Sequence, residues 1–105
     1  MISVAIKTKN GLITGFCISG HSGYSELGSD IVCASVSSAA FMAANTITDV
    51  MGLDADISLS DGFMSLELTQ QNAEKASDIL QGLKLHLTEL SKQYKKYIKV
   101  IFSEV

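Results

Sequence analysis

The chain begins with two runs of alternating apolar and polar residues, a pattern that predicts a β-hairpin. Alternation with a period of two is typical of a strand with one buried face. The pair Asn10-Gly11 between the runs is a strong signal for a two-residue turn. The apolar positions of the first run are Ile2, Val4 and Ile6. In the second run, from Leu12 to Ser19, the residues expected to share one face are Leu12, Thr14, Phe16 and Ile18.

A second hairpin and a final strand are predicted later in the chain. The turn of the hairpin is Asp61-Gly62, and its returning strand runs from Phe63 to Thr69. The segment from Tyr97 to Glu104 is expected to close the chain as another strand. The alternating apolar positions of these strands are Ile57 and Leu59, then Met64, Leu66 and Leu68, then Ile98, Val100 and Phe102.

Apolar residues recur at helical spacing in two segments. One runs from Ile31 to Met51 and ends at Gly52, and the other runs from about Asn72 to Gln93. The first helix is poor in charge, because Asp49 is its only charged residue after Asp30. A surface helix normally carries a charged face. We therefore expect this helix to be buried on more than one side, within the layers or against a second copy, and we expect a homodimer.

These elements follow one another in the order ββαββαβ. Hairpins and helices in this order predict an α+β fold, in which two helices cover a mostly antiparallel sheet. A length of 105 residues with 47% hydrophobic residues is sufficient for one core, so residues 1–105 are expected to form a single domain.

The amino-acid composition limits the kinds of partner that the protein is expected to bind. All eight basic residues are lysine and the net charge is −3, which argues against direct recognition of nucleic acid. The first ten residues lack the apolar run of a signal peptide, and no later run was expected to span a membrane. A cytoplasmic location is therefore expected, where Cys17 and Cys33 would be free thiols. The glycine spacing matches no nucleotide-binding fingerprint, and we expect neither a cofactor nor a metal.

The glycine-rich stretch from Gly20 to Ala34 contains the candidate chemistry. Cys33 is the best candidate nucleophile, because it is expected in the first turn of a helix, where the dipole favours a thiolate. His21 is the candidate general base on the preceding loop. Asp30 has two competing interpretations, as the helix cap or as the residue that orients His21. A structural cysteine beside a loop histidine remains the alternative, because residues close in sequence need not meet in space.

The glycines and the aromatic residue of this loop are candidates for contact with a substrate. Gly20 and Gly23 allow the chain to approach a substrate closely. Tyr24 could form a wall for an apolar substrate side chain, or could pack within the loop. Cys17, in a predicted strand, is interpreted as core packing.

Residues 20–37 resemble the ribosomal-processing cysteine proteases. The residues that carry the resemblance are Gly20-His21-Ser22-Gly23-Tyr24, Gly28, Asp30-Ile31-Val32-Cys33-Ala34 and Val36-Ser37. The resemblance implies a protease that removes a short N-terminal extension from a ribosomal protein precursor, the large-subunit protein L twenty-seven. It also implies that Cys33 and His21 are catalytic, that Asp30 supports them, and that the protein is a homodimer. Gly20, Ser22, Gly23 and Tyr24 are then the expected substrate-binding residues.

Two other functions remain open from the residues themselves. The same loop could belong to a non-enzymatic module that binds a ribosomal protein, or to another thiol enzyme such as an acyl transferase.

Three glycines in the ten residues from Gly20 to Ser29 further predict a loop that is mobile until substrate binds.

Overall fold

A computed structural model of the chain describes residues 1–20 and 26–104, and residues 26–30 only by their backbone. Five strands form one sheet in the order β3-β4-β2-β1-β5. The strands are β1 (Ile2–Lys9), β2 (Leu12–Ser19), β3 (Asp56–Ser60), β4 (Phe63–Glu67) and β5 (Ile98–Glu104). The helices are α1 (Glu26–Asn45), which continues into a π-helical turn (Thr46–Val50), α2 (Gln70–Lys75) and α3 (Ser77–Gln93).

The sheet is mostly antiparallel, which confirms the predicted α+β fold. Only the pairing of β1 with β5 is parallel among the described strands. The second predicted helix consists of two helices, α2 and α3, which meet at Ala76. Thr69 caps α2 by accepting a hydrogen bond from the backbone N–H of Asn72 at 3.2 Å. Ala76 and the α3 residues Leu80, Leu83 and Leu87 belong to the core cluster, and Ala73 of α2 is also fully buried.

The core lies between the described helices and one face of the sheet. Phe16, Ile6 and Leu66 are its largest fully buried side chains from the sheet, and Val32 and Leu80 are buried opposite them on the helices. Phe16 pairs with Ile6 on one side and with Leu66 on the other, so one continuous apolar row crosses the three central strands. Cross-strand rows of this kind fix the register, because a shift of one residue would turn the row to the opposite face.

A β-bulge changes the predicted face of β2. The register between β1 and β2 shifts at Lys7 and Thr8, so that Ile13 pairs with Thr8. Ile13 is consequently buried with Phe16, whereas Leu12 and Thr14 are only partly buried. The prediction that Leu12 and Thr14 share a face with Phe16 was therefore wrong, because an extra residue in one strand interrupts the period of two.

The first helix begins earlier than the sequence predicted. It starts at Glu26, so Ser29 and Asp30 lie inside it and cannot be its caps. Glu26 and Leu27 are good helix formers, which favours the earlier start. Cys33 is accordingly about two turns from the helix start, and the predicted loop is shortened at its C-terminal end.

The expectation that no later run could span a membrane was also wrong, because one helix has the length and the apolar composition to do so. The segment Ile31–Val50 is 20 residues long, which is the length of a membrane-spanning helix, and an 18-residue stretch within it has a mean hydropathy of 1.5. The core helix of a globular protein passes the same test, and Val32, Val36 and Ile47 of this segment are buried in the core.

Candidate active site

A cleft lies at one end of the sheet, between the strand ends and α1. It has a volume of about 240 Å³. Gly20, directly after β2, donates its backbone N–H to the carbonyl of Gly62 at 2.9 Å, which joins the end of β2 to the β3–β4 turn. Ile2 at the start of β1 completes this part of the lining. The ends of four strands therefore form one wall, and its shape depends on the sheet register.

Cys33 contributes the thiol of the cleft. It is half-buried, forms no disulfide, and lines the cleft from α1. The neighbouring core positions Val32 and Val36 are fully buried against the sheet, and this packing sets the rotation of the helix. Cys33 is thus at a position where a substrate in the cleft could meet its sulfur.

The second cysteine lies elsewhere. Cys17 is between Phe16 and Ile18 in β2, and successive side chains of a strand point to opposite faces. Because Phe16 is buried in the core, Cys17 lies on the sheet face away from the described helices. It is partly exposed, so its interpretation as core packing was wrong.

The rest of the cleft is mainly apolar. Phe41 comes from α1, Leu59 from β3, and Phe63 and Met64 from β4. Such a lining suits an apolar side chain or an aromatic ring, with few polar groups to fix its orientation. These four residues were not among those predicted for the site. The signal for Phe41 in the sequence was a phenylalanine within a charge-poor helix, and the structure shows it to be 43% exposed.

The predicted site residues fall into three groups. The structure brings Gly20 and Cys33 to the same cleft. It places the backbone of Asp30 in α1, three residues before Cys33, which is less than one helical turn. His21, Ser22, Gly23 and Tyr24 lie outside the described residues, as does the predicted separation between His21 and Cys33.

The cleft and its cysteine define a class of protein. A free, partly exposed thiol on a long helix, beside an apolar cleft open to solvent, is an arrangement suited to covalent catalysis on a bound substrate. The class is therefore a thiol enzyme, in which a cysteine is available as the nucleophile.

Comparisons with known proteins give the reaction. The sequence model of the family described as cysteine protease Prp matches residues 1–99. The ribosomal processing cysteine protease Prp of Staphylococcus aureus is 30% identical over 95% of this chain and 97% of its own length. The protein of the same name from Bacillus subtilis is 29% identical over 84% of each chain. This chain belongs to the Prp family, and it is a cysteine protease.

The three-dimensional comparison agrees with the sequence comparison. The crystal structure of the S. aureus protease with a covalently linked product peptide has a TM-score of 0.88 and 29% identity, and the match covers 98% of this chain and all of that chain. A structure of the S. aureus protease with a substrate peptide has a TM-score of 0.86. The resemblance predicted from residues 20–37 is confirmed, and proteolysis is favoured over a binding module or an acyl transferase.

Proposed function

We propose that this protein is the endopeptidase that removes the N-terminal extension of the large-subunit ribosomal protein L twenty-seven. The observation that carries the proposal is the position of Cys33 in an apolar cleft at the end of the sheet. Support comes from the S. aureus relative, whose structures contain a substrate peptide and a covalently linked product peptide. The cleft lining of Phe41, Leu59 and Phe63 suits an apolar or aromatic side chain of the substrate near the cut.

The proposed reaction has two steps with Cys33 and His21 in the principal roles. The Cys33 thiolate attacks the scissile carbonyl carbon, after His21 has taken the thiol proton. The C–N bond then breaks, the amine leaves with the proton held by His21, and the acyl group remains on Cys33 as a thioester. Water, deprotonated by His21, hydrolyses the thioester and restores the thiol.

The remaining predicted residues have supporting roles in this proposal. Asp30, three residues before Cys33 on α1, orients His21 and stabilises the imidazolium that forms during the reaction. Gly20, Ser22, Gly23 and Tyr24 hold the substrate against the cleft. The position of Gly20 in the cleft lining supports its role. Its φ of +91° lies in the left-handed region that favours glycine.

Mass analysis of precursor L twenty-seven tests the proposal directly. Wild-type protein is expected to release the N-terminal extension, and Cys33→Ala is expected to leave the precursor intact. Cys17→Ala is the matched control, since it removes the other partly buried thiol from the opposite side of the sheet. Trimming by Cys33→Ala at the wild-type rate would contradict the assignment of the nucleophile.

We further propose that the protein acts in the cytoplasm as a homodimer that contacts through α1. Support comes from the exposed apolar residues of that helix, in particular Ile31 at 58% and Met42 at 54% exposure. Light scattering is expected to give about twice the monomer mass of 11.2 kDa. Met42→Glu should shift the mass towards the monomer. A monomer mass for the wild type at micromolar concentration would refute the dimer.

A further inference from the structure

Strand β3 forms an open edge of the sheet beside the active-site cleft. It is the outermost strand of the order β3-β4-β2-β1-β5, and all five of its residues are exposed. Natural proteins protect such edges with lysine, proline or a bulge, since unpaired backbone groups attract other strands. β3 has neither lysine nor proline, and its pairing with β4 is regular from Asp56 to Ser60.

The register of the β3–β4 hairpin determines which backbone groups of β3 are free. Ser60 and Phe63 flank the two-residue turn and pair with each other, so they form the hydrogen-bonded pair next to the turn. Hydrogen-bonded and non-hydrogen-bonded pairs alternate along an antiparallel ladder. Leu59 and Ile57 therefore occupy non-hydrogen-bonded positions, with their N–H and C=O groups directed to the open edge.

This edge is continuous with the cleft that contains Cys33. Leu59 and Ser60, at the end of β3, line the cleft together with Cys33. The Leu59 side chain is 57% exposed, although its partner Met64 is buried. The opposite edge strand differs, because β5 contains Lys99 and contributes no residue to this cleft.

We infer that β3 binds the substrate as an additional strand of the sheet. An extended peptide would pair with the N–H and C=O groups of Ile57 and Leu59, and its chain would pass from β3 into the cleft. Main-chain pairing of this kind holds any sequence in extended form, while the cleft selects the side chain near the cut. The inference rests on the proposed function, since it takes a peptide as the substrate.

Ile57 offers a matched pair of substitutions. Ile57→Pro removes the outward N–H, and proline is tolerated on an edge strand where that group faces solvent. Ile57→Val keeps the N–H and has a side chain of similar size. Ile57 does not line the cleft, so neither change alters the apolar lining. For a synthetic peptide that spans the proposed cut, Ile57→Pro should lower kcat/KM about three- to tenfold relative to Ile57→Val, mainly through KM.

Two measurements on unaltered β3 give the same test if Ile57→Pro does not fold. Hydrogen exchange of the Cys33→Ala protein should show the amides of Ile57 and Leu59 protected when the peptide is added. Peptides with single N-methylated amides should bind more weakly at every second position, because alternate amides of a paired strand face the partner.

The outcomes separate this inference from the proposed function. Cleavage with unprotected β3 amides, and with equal rates for the two Ile57 variants, would overturn the inference and leave the function standing. Binding with protected β3 amides but no cleavage would overturn the function and support the inference. No binding of the peptide would overturn both. The Ile57 amide could instead be protected from exchange in the free protein and lose this protection on dilution. That result would assign β3 to a contact between copies of the chain, and would also overturn the inference.

Discussion

Gly20 lies directly after β2 and immediately before His21 in the sequence, and its replacement by alanine is the most informative single change. Its φ is +91°, and an added Cβ would lie 2.4 Å from the backbone oxygen of Met1. That oxygen belongs to the main chain at the start of β1, so no side-chain rotation relieves the contact. Either Met1 or the end of β2 must shift.

Two costs add up at this position. A residue with a Cβ in the left-handed region costs about 1–2 kcal/mol. Forcing extra volume against the backbone costs about 1–3 kcal/mol more. Gly11 isolates the first cost, because its φ is +79° and an added Cβ would meet nothing within 4 Å. We expect Gly20→Ala to lower the free energy of unfolding by about 2–5 kcal/mol, and Gly11→Ala by about 1–2 kcal/mol.

Urea unfolding and peptide cleavage, measured on both variants, check this reasoning. The difference between the two unfolding free energies reports the contact with Met1, since the backbone strain is common to both. Gly20→Ala should also lose more cleavage activity than Gly11→Ala, because the shift falls at the cleft while Gly11 lies at the opposite end of the hairpin. Equal stability and equal activity of the two variants would refute the argument.

Three further outcomes are expected. Iodoacetamide should stop cleavage by modifying Cys33, and the Cys17→Ala protein should be inactivated at the same rate; slower inactivation of that variant would implicate the other thiol. Gly15→Ala should lower the free energy of unfolding by about 1–3 kcal/mol in urea, because its Cβ would lie 2.3 Å from a backbone oxygen of β4; an unchanged midpoint would contradict this. A hydrogen bond to Glu67 raises the pKa of Lys7 above 10.5, so this pair stabilises the fold below that pH and the stabilisation is lost as pH rises beyond the raised value. Glu67→Gln should therefore cost no more than about 0.5 kcal/mol at pH 7, and this cost should shrink as the pH is raised through the pKa of Lys7, by urea unfolding across that range; a constant difference would point to a cause other than charge.

The strands were predictable because alternation reports burial directly. The two hairpin turns, Asn10-Gly11 and Asp61-Gly62, lie where the sequence placed them. The bulge in β2 was not predictable. One inserted residue leaves the alternation of apolar and polar residues intact on each side of it, and changes only which residues of the two segments face the core. Ile13 is buried for that reason, although the predicted face contained Leu12 and Thr14.

The class of cysteine protease was predictable from the sequence, and the geometry of the candidate site was less so. Cys33 could be singled out because a thiol near glycines and a histidine indicates reactivity. Its position about two turns into α1 depended on where the helix begins, and helix starts are poorly defined when Ser29, Asp30 and Glu26 are all compatible with one. Phe41 meets Leu59 and Met64 only through tertiary packing, because it lies on α1 whereas they pair within the β3–β4 hairpin.

The position of the thiol follows from the packing of the residues around it. Val32 and Val36 are buried against the sheet and fix the rotation of α1, so the chain needs no hydrogen bond to Cys33 to direct it to the strand ends. The opposite wall is held by the sheet register and by the hydrogen bond between Gly20 and Gly62. The same core that stabilises the fold therefore sets the width of the cleft. A peptide that extends the sheet at β3 would be aligned by that framework before it reaches the cysteine.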